Sequence, residues 1–92
     1  MNRFDGSEWI FVGDVARCPH SSEQIKACKA LSIDIKGAVL CNNPDHAETA
    51  ACKQVPAFPS FCSLKTNICV AGLRRTHEEF DALQRQSDAT SK

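Results

Sequence analysis

Apolar and polar residues along this chain follow two different periods, and the switches between them divide it into seven elements. Trp9-Ile10-Phe11-Val12 is a run of aromatic and β-branched residues followed by Gly13-Asp14, the pattern of a buried strand ending near Ala16. From Pro19 to about Leu31 the period lengthens: Ile25, Cys28 and Leu31 recur every third position with Ala27 and Ala30 beside them, while Lys26 and Lys29 take the wet side. That spacing predicts a helix, opened by Ser21-Ser22-Glu23. Asp34 to Gly37 turns the chain, and Ala38-Val39-Leu40-Cys41 is an apolar run short enough to predict a second strand. Asn42-Asn43-Pro44-Asp45 is a turn signal, and Pro44-Asp45 is expected to open a second helix through His46 to Gln54, with Ala47, Ala50, Ala51 and Val55 on its apolar side.

Val55-Pro56-Ala57-Phe58-Pro59-Ser60-Phe61-Cys62 carries two prolines three apart, which excludes a helix and predicts an extended approach to a third strand. Lys65-Thr66-Asn67 reads as a hairpin tip, Ile68-Cys69-Val70-Ala71 as the returning strand, and Gly72 as a bulge or turn. Thr76-His77-Glu78-Glu79 matches a capping box and starts a last helix with Phe80 and Leu83 inward, ending near Gln86. Residues 1–8 are expected to be a flexible lead-in, 9–86 the domain, and 87–92 a disordered polar tail. The order β-α-β-α-β-β-α predicts an α/β fold with a four-stranded mixed sheet covered by helices.

Composition narrows the function. Ninety-two residues, 42% of them hydrophobic, suit one globular domain. Eleven basic and eleven acidic residues cancel, which removes the electrostatic case for binding nucleic acid or an anionic membrane. The longest apolar runs, 9–12 and 37–41, are far too short to be a transmembrane segment, and the first residues lack the apolar region of a signal peptide. Six cysteines are many for this length. They point to redox work or to an oxidising compartment (periplasm, thylakoid or ER lumen) ahead of the cytosol.

The most informative of them is Cys18, in Arg17-Cys18-Pro19-His20-Ser21. It falls at the junction of the first strand and first helix, where unpaired backbone N–H groups and the macrodipole favour a thiolate. Pro19 suits the first helical position, and a protonated His20 would add positive charge beside the sulfur. Such surroundings lower a thiol pKa below its free value of about 8.5 and make the cysteine a nucleophile at neutral pH. A buried cysteine that happens to precede a helix is the plainer reading of the same tetrapeptide.

That element order, with Cys-Pro-His-Ser at the first strand–helix junction, resembles a minimal thioredoxin/glutaredoxin-like fold. Phe58-Pro59-Ser60 matches the aromatic, cis-proline and Ser/Thr segment that faces the active cysteine in that superfamily, with Pro59 ahead of Pro56 for the cis position. The chain is most similar to the thioredoxin-like domain associated with vitamin K epoxide reductase homologues, over about residues 9–85. It shares a glycine shortly before the motif, a closing segment from Gly72 to Glu79, and Cys41 and Cys52 as the counterparts of a second cysteine pair. The resemblance implies a monomeric thiol–disulfide oxidoreductase without a metal, in which Cys18, Pro19, His20 and Ser21 form the catalytic motif and Phe58, Pro59 and Ser60 bind substrate. It implies a protein thiol or disulfide substrate, or a membrane redox partner, and no cofactor other than glutathione.

Two departures stand out. Ser21, native or introduced, replaces the family's second active-site cysteine and removes the thiol that would resolve a mixed disulfide. Arg17 replaces the preceding tryptophan. A non-catalytic interaction module that has lost its resolving cysteine is the rival reading. Cys62 and Cys69, on the two hairpin arms, suit either a cross-strand disulfide or two buried thiols, and Cys41 and Cys52 are likewise open. Cys28 reads as a core residue about 15 Å along the helix from Cys18. The cysteines lack the tight pairs of a structural zinc site, His46 and His77 read as solvated, and Asp14 reads as a turn residue ahead of a proton acceptor.

Overall fold

Strand β1 (Trp9–Gly13), an aromatic and β-branched run, is the most buried of the strands and occupies an interior position in the sheet. It pairs in parallel with β2 (Gly37–Leu40), Ile10 beside Gly37 and Gly13 beside Leu40. On its other side it pairs antiparallel with β3 (Ser60–Ser63), Trp9 opposite Ser63 and Val12 opposite Ser60. β4 (Cys69–Ala71) returns along β3, giving a four-stranded mixed sheet in the order β2-β1-β3-β4. The parallel pair needs a crossover, supplied by helix α1 (Pro19–Ala30). A short helix α2 (Ala50–Gln54) connects β2 to β3, and α3 (His77–Thr90) closes the chain. These elements come from a computed structural model that describes residues 4–46, 49–55 and 57–90.

The period-two pattern decides which side chains form the core. Trp9 and Phe11 of β1 and Phe61 of β3 share one sheet face, where Phe80 and Leu83 of α3 cover them. Phe61 and Phe80 meet edge to face with centroids 5.5 Å apart, and Phe11 lies 5.5 Å from Phe61. Ile25 and Cys28 of α1, with Leu31, Ile33 and Ile35 after it, pack against the cluster and stay partly exposed. Among the described residues no helix is long and apolar enough to cross a membrane.

Three expectations change. The first residues are not a loose lead-in over their described part. Phe4 stacks on Trp9 and meets Phe80, and a 3-10 turn (Gly6–Glu8) leads into β1. Gly6 is buried so tightly that a Cβ there would fall 1.5 Å from the Asp34 carbonyl oxygen, which only glycine permits. At the other end, α3 continues past Gln86 to Thr90, because its polar residues serve the interior. Buried Gln84 accepts from the Trp9 indole N–H at 2.9 Å, and buried Ser87 donates to Ser63 Oγ at 3.2 Å. The polar spelling of Gln84 and Ser87 conceals that packing.

The second helix is shorter than its pattern suggests. Asn43 Oδ1 accepts from the Asp45 N–H at 3.0 Å, so the chain turns where a first helical turn was expected, and α2 begins only after Thr49, whose Oγ1 receives the Cys52 N–H at 3.4 Å. Ala47 and Pro56 lie outside the described residues, as do the side chains of Ala50 and Ala51. The N-cap bond of the expected capping box forms, Thr76 Oγ1 accepting from the Glu79 N–H at 3.2 Å, while Glu79 reaches back one residue further and accepts from the Arg75 N–H at 3.0 Å.

Candidate functional site

The turn between β1 and α1 is shaped by one buried carboxylate. Asp14, 2% exposed, accepts the N–H groups of Ala16 and Arg17 on Oδ1 at 3.2 and 3.0 Å, and its carbonyl accepts the Cys18 N–H at 2.8 Å. The exposed Arg17 guanidinium lies 3.7 Å from Oδ2. Asp14 therefore serves as the turn residue its position implied, and it hands the chain to α1 with Cys18 at the N-cap and Pro19 at the first helical position.

Cys18 is a free, half-buried thiol, and its sulfur lies 3.5 Å from the Phe58 carbonyl oxygen. The Phe58–Pro59 peptide bond is cis, at the proline the sequence favoured. Ser60 follows, fully buried, its hydroxyl donating to the Ala57 carbonyl, and the Pro59 carbonyl accepts the Gly72 N–H at 2.9 Å. Gly72 has φ of +127°, a backbone that requires glycine and lets the segment after β4 close against Pro59. Cys18, Pro19 and Phe58 to Ser60 are thus brought together at one end of the sheet.

Ser21 and His20 diverge although adjacent. Ser21 is fully buried and its hydroxyl accepts the Asp14 N–H at 3.0 Å, whereas His20 is exposed on the same first turn. Gln24 carries a structural role that the sequence reading passed over. Fully buried, it donates to the Arg74 carbonyl at 2.7 Å and accepts the Arg74 N–H, tying α1 to the segment before α3. The available signal was its place on the Ser21–Cys28 stripe of α1, spaced by three and four.

The remaining cysteines divide cleanly. Cys41–Cys52 and Cys62–Cys69 are disulfides, with Cα atoms 5.7 and 4.0 Å apart, the latter directly opposed across β3 and β4. Cys28 is free, and burial pushes its thiol pKa up, a weak hydrogen bond from Gln24 opposing. The Leu40 N–H lies 3.4 Å from His46 Nδ1. Among the described residues no group of three or more His, Cys, Asp or Glu is placed to hold a metal. No protein-family model matches the chain, and no curated protein or solved structure shows significant similarity to it.

Proposed function

We propose that this is a thioredoxin-like protein performing monothiol thiol–disulfide exchange through Cys18. The observation that supports the reading best is the free Cys18 sulfur at the N-terminus of a twelve-residue helix, 3.5 Å from the carbonyl of the residue before Pro59. A negative charge developing on sulfur there lies at the positive end of the helix dipole. The backbone from Phe58 to Ser60 forms a wall against which an extended substrate is held.

In the proposed step the Cys18 thiolate attacks one sulfur of a substrate disulfide. A Cys18–substrate disulfide forms and the other substrate sulfur leaves as a thiolate. Ser21 occupies the position one helical turn on, where its hydroxyl cannot displace the substrate. The mixed disulfide is therefore released by an external thiol, glutathione or the substrate's own second cysteine. Exchange and isomerisation follow from this arrangement, and unaided dithiol oxidation does not.

The rival reading, a binding module without turnover, draws on the buried Ser21 hydroxyl that is already engaged with Asp14. Reaction of the native protein with an aromatic disulfide at pH 7, with the products mapped by mass spectrometry, separates the two. The exchange reading expects rapid capture on Cys18, lost in Cys18→Ser, and dithiol reductase activity gained in Ser21→Cys. An inert Cys18 in the folded protein would leave only the binding module.

A further inference from the structure

The end of the sheet that holds Cys18 also holds a disulfide. The carbonyls of two consecutive residues leaving β1 each receive the N–H of a cysteine: Gly13 accepts from Cys41 at 2.7 Å, and Asp14 accepts from Cys18 at 2.8 Å. The Cα atoms of consecutive residues are about 3.8 Å apart, so the backbones of Cys41 and Cys18 are both anchored on the same short piece of chain. Cys41 and its partner Cys52 are both partly exposed. The other sulfurs lie elsewhere. Cys62 is opposite Ile10, three residues back along β1 from Gly13, and Cys28 is about 15 Å along α1.

We infer that the Cys41–Cys52 disulfide is a second redox centre that exchanges with Cys18 and makes up for the thiol missing at Ser21. The inference rests on the exchange role proposed for Cys18. The Cys18 thiolate attacks one sulfur of the pair, forming a disulfide to it and releasing the other as a thiolate. A substrate dithiol then attacks the Cys18 sulfur and frees the first sulfur of the pair as a second thiolate. Its remaining thiol closes the substrate disulfide and returns Cys18 as a thiolate. Two electrons pass from the substrate dithiol to the pair, and the two substrate protons end on Cys41 and Cys52. Cys41 stands in the turn after β2 and Cys18 at the N-cap of α1, both outside the strand ladder, so closing the gap between these two moves connecting backbone and leaves the sheet paired.

The geometry also supplies an internal control, because Cys62–Cys69 is held between two strands away from Cys18. The experiment is the reduction of each disulfide by dithiothreitol, followed by acid quenching, alkylation and peptide mapping, in the wild type and in Cys18→Ser. The relay expects Cys41–Cys52 to be reduced about tenfold or more faster in the wild type, the advantage of an intramolecular attack, with Cys62–Cys69 reduced equally in both proteins. It further expects a Cys18–Cys41 or Cys18–Cys52 linked peptide when the wild type is held at pH 8 without reductant. Equal rates for Cys41–Cys52 and no linked peptide would overturn the relay. If Cys18 still captured the aromatic disulfide in that case, the exchange reading would stand alone; if it did not, both would fall. An unchanged Cys62–Cys69 rate shows that Cys18→Ser remains folded, as serine is a favoured N-cap residue.

Discussion

Cys18 and Cys28 are the two free thiols of one helix, and the difference between them shows how position along a helix divides identical chemistry. Cys18 caps α1 where the chain leaves the sheet, with a backbone carbonyl of another segment beside its sulfur. Cys28 lies near the end of the same helix on its inward stripe. It lines a cavity of about 270 Å³ with Phe11, Ile25, Ile33 and Ile35, and Gln24 is its hydrogen-bond donor. Burial there disfavours the thiolate. A cysteine becomes a site through what the fold aims at it, and a count of cysteines carries none of that information.

The largest expected effect comes from loosening the packing beneath one thiol while sparing the other. Phe80 is fully buried against Phe61 and Phe4, and Cys28 packs against the cluster they form. Phe80→Ala is expected to cost about 3–5 kcal/mol of stability, seen as a lower urea midpoint. Near that midpoint Cys28 alkylation should climb to the rate of the unfolded chain, while Cys18 changes much less. Parallel acceleration of both thiols would show that Cys18 also waits for the fold to open, and the contrast would disappear.

That contrast was half legible in the sequence. The Cys-Pro step at a strand–helix junction identifies an N-cap thiol, because proline is tolerated where the helix has no N–H to satisfy. The three-residue spacing of Ile25, Cys28 and Leu31 likewise puts Cys28 on the apolar stripe. The facing wall was harder to read. Phe58 meets Cys18 across forty residues of sequence, a contact no local pattern encodes, and it was reached only through resemblance. Asn43 delaying the start of the second helix, and Gln84 and Ser87 making interior contacts near the end of α3, were missed because polar residues that satisfy one another look like solvent-facing ones in a sequence. The hairpin reading left Cys62 and Cys69 open between a cross-strand disulfide and two buried thiols, and the strand register that sets them directly opposite decides for the disulfide.

A smaller effect sharpens the comparison through pH. Cys28 in the folded chain holds its proton more tightly than an ordinary thiol. Between the unfolded and folded pKa values the native state binds more protons than the unfolded one, so stability is full below the unfolded value, near 8.5, and falls as pH rises above it. Alkylation of Cys28 at pH 8.5 should be slower in the native protein than in urea, and the difference should narrow as pH rises further. Urea midpoints measured from pH 7.5 to 10 should decline in the wild type and decline less in Cys28→Ala. A Cys28 that alkylates at pH 8.5 equally fast with and without urea would show that burial does not hold back its thiolate.

The smallest effect belongs to the stretch of α1 between the two thiols. Glu23 pairs with Arg75 at 2.9 Å, but both side chains are largely exposed, so water screens the pair and two long side chains lose freedom to make it. Glu23→Gln is expected to change stability by less than about 1 kcal/mol, and less still as salt is raised. Buried Gln24 beside it already ties α1 to Arg74 with backbone hydrogen bonds that no salt reaches, so the position of the helix does not depend on the ion pair. The relative alkylation rates of Cys18 and Cys28 should therefore survive the substitution. If Glu23→Gln instead shifted Cys18 while leaving Cys28 alone, the surface charge of α1 would belong to the site, and the difference between the two thiols would be electrostatic rather than a matter of what packs around each.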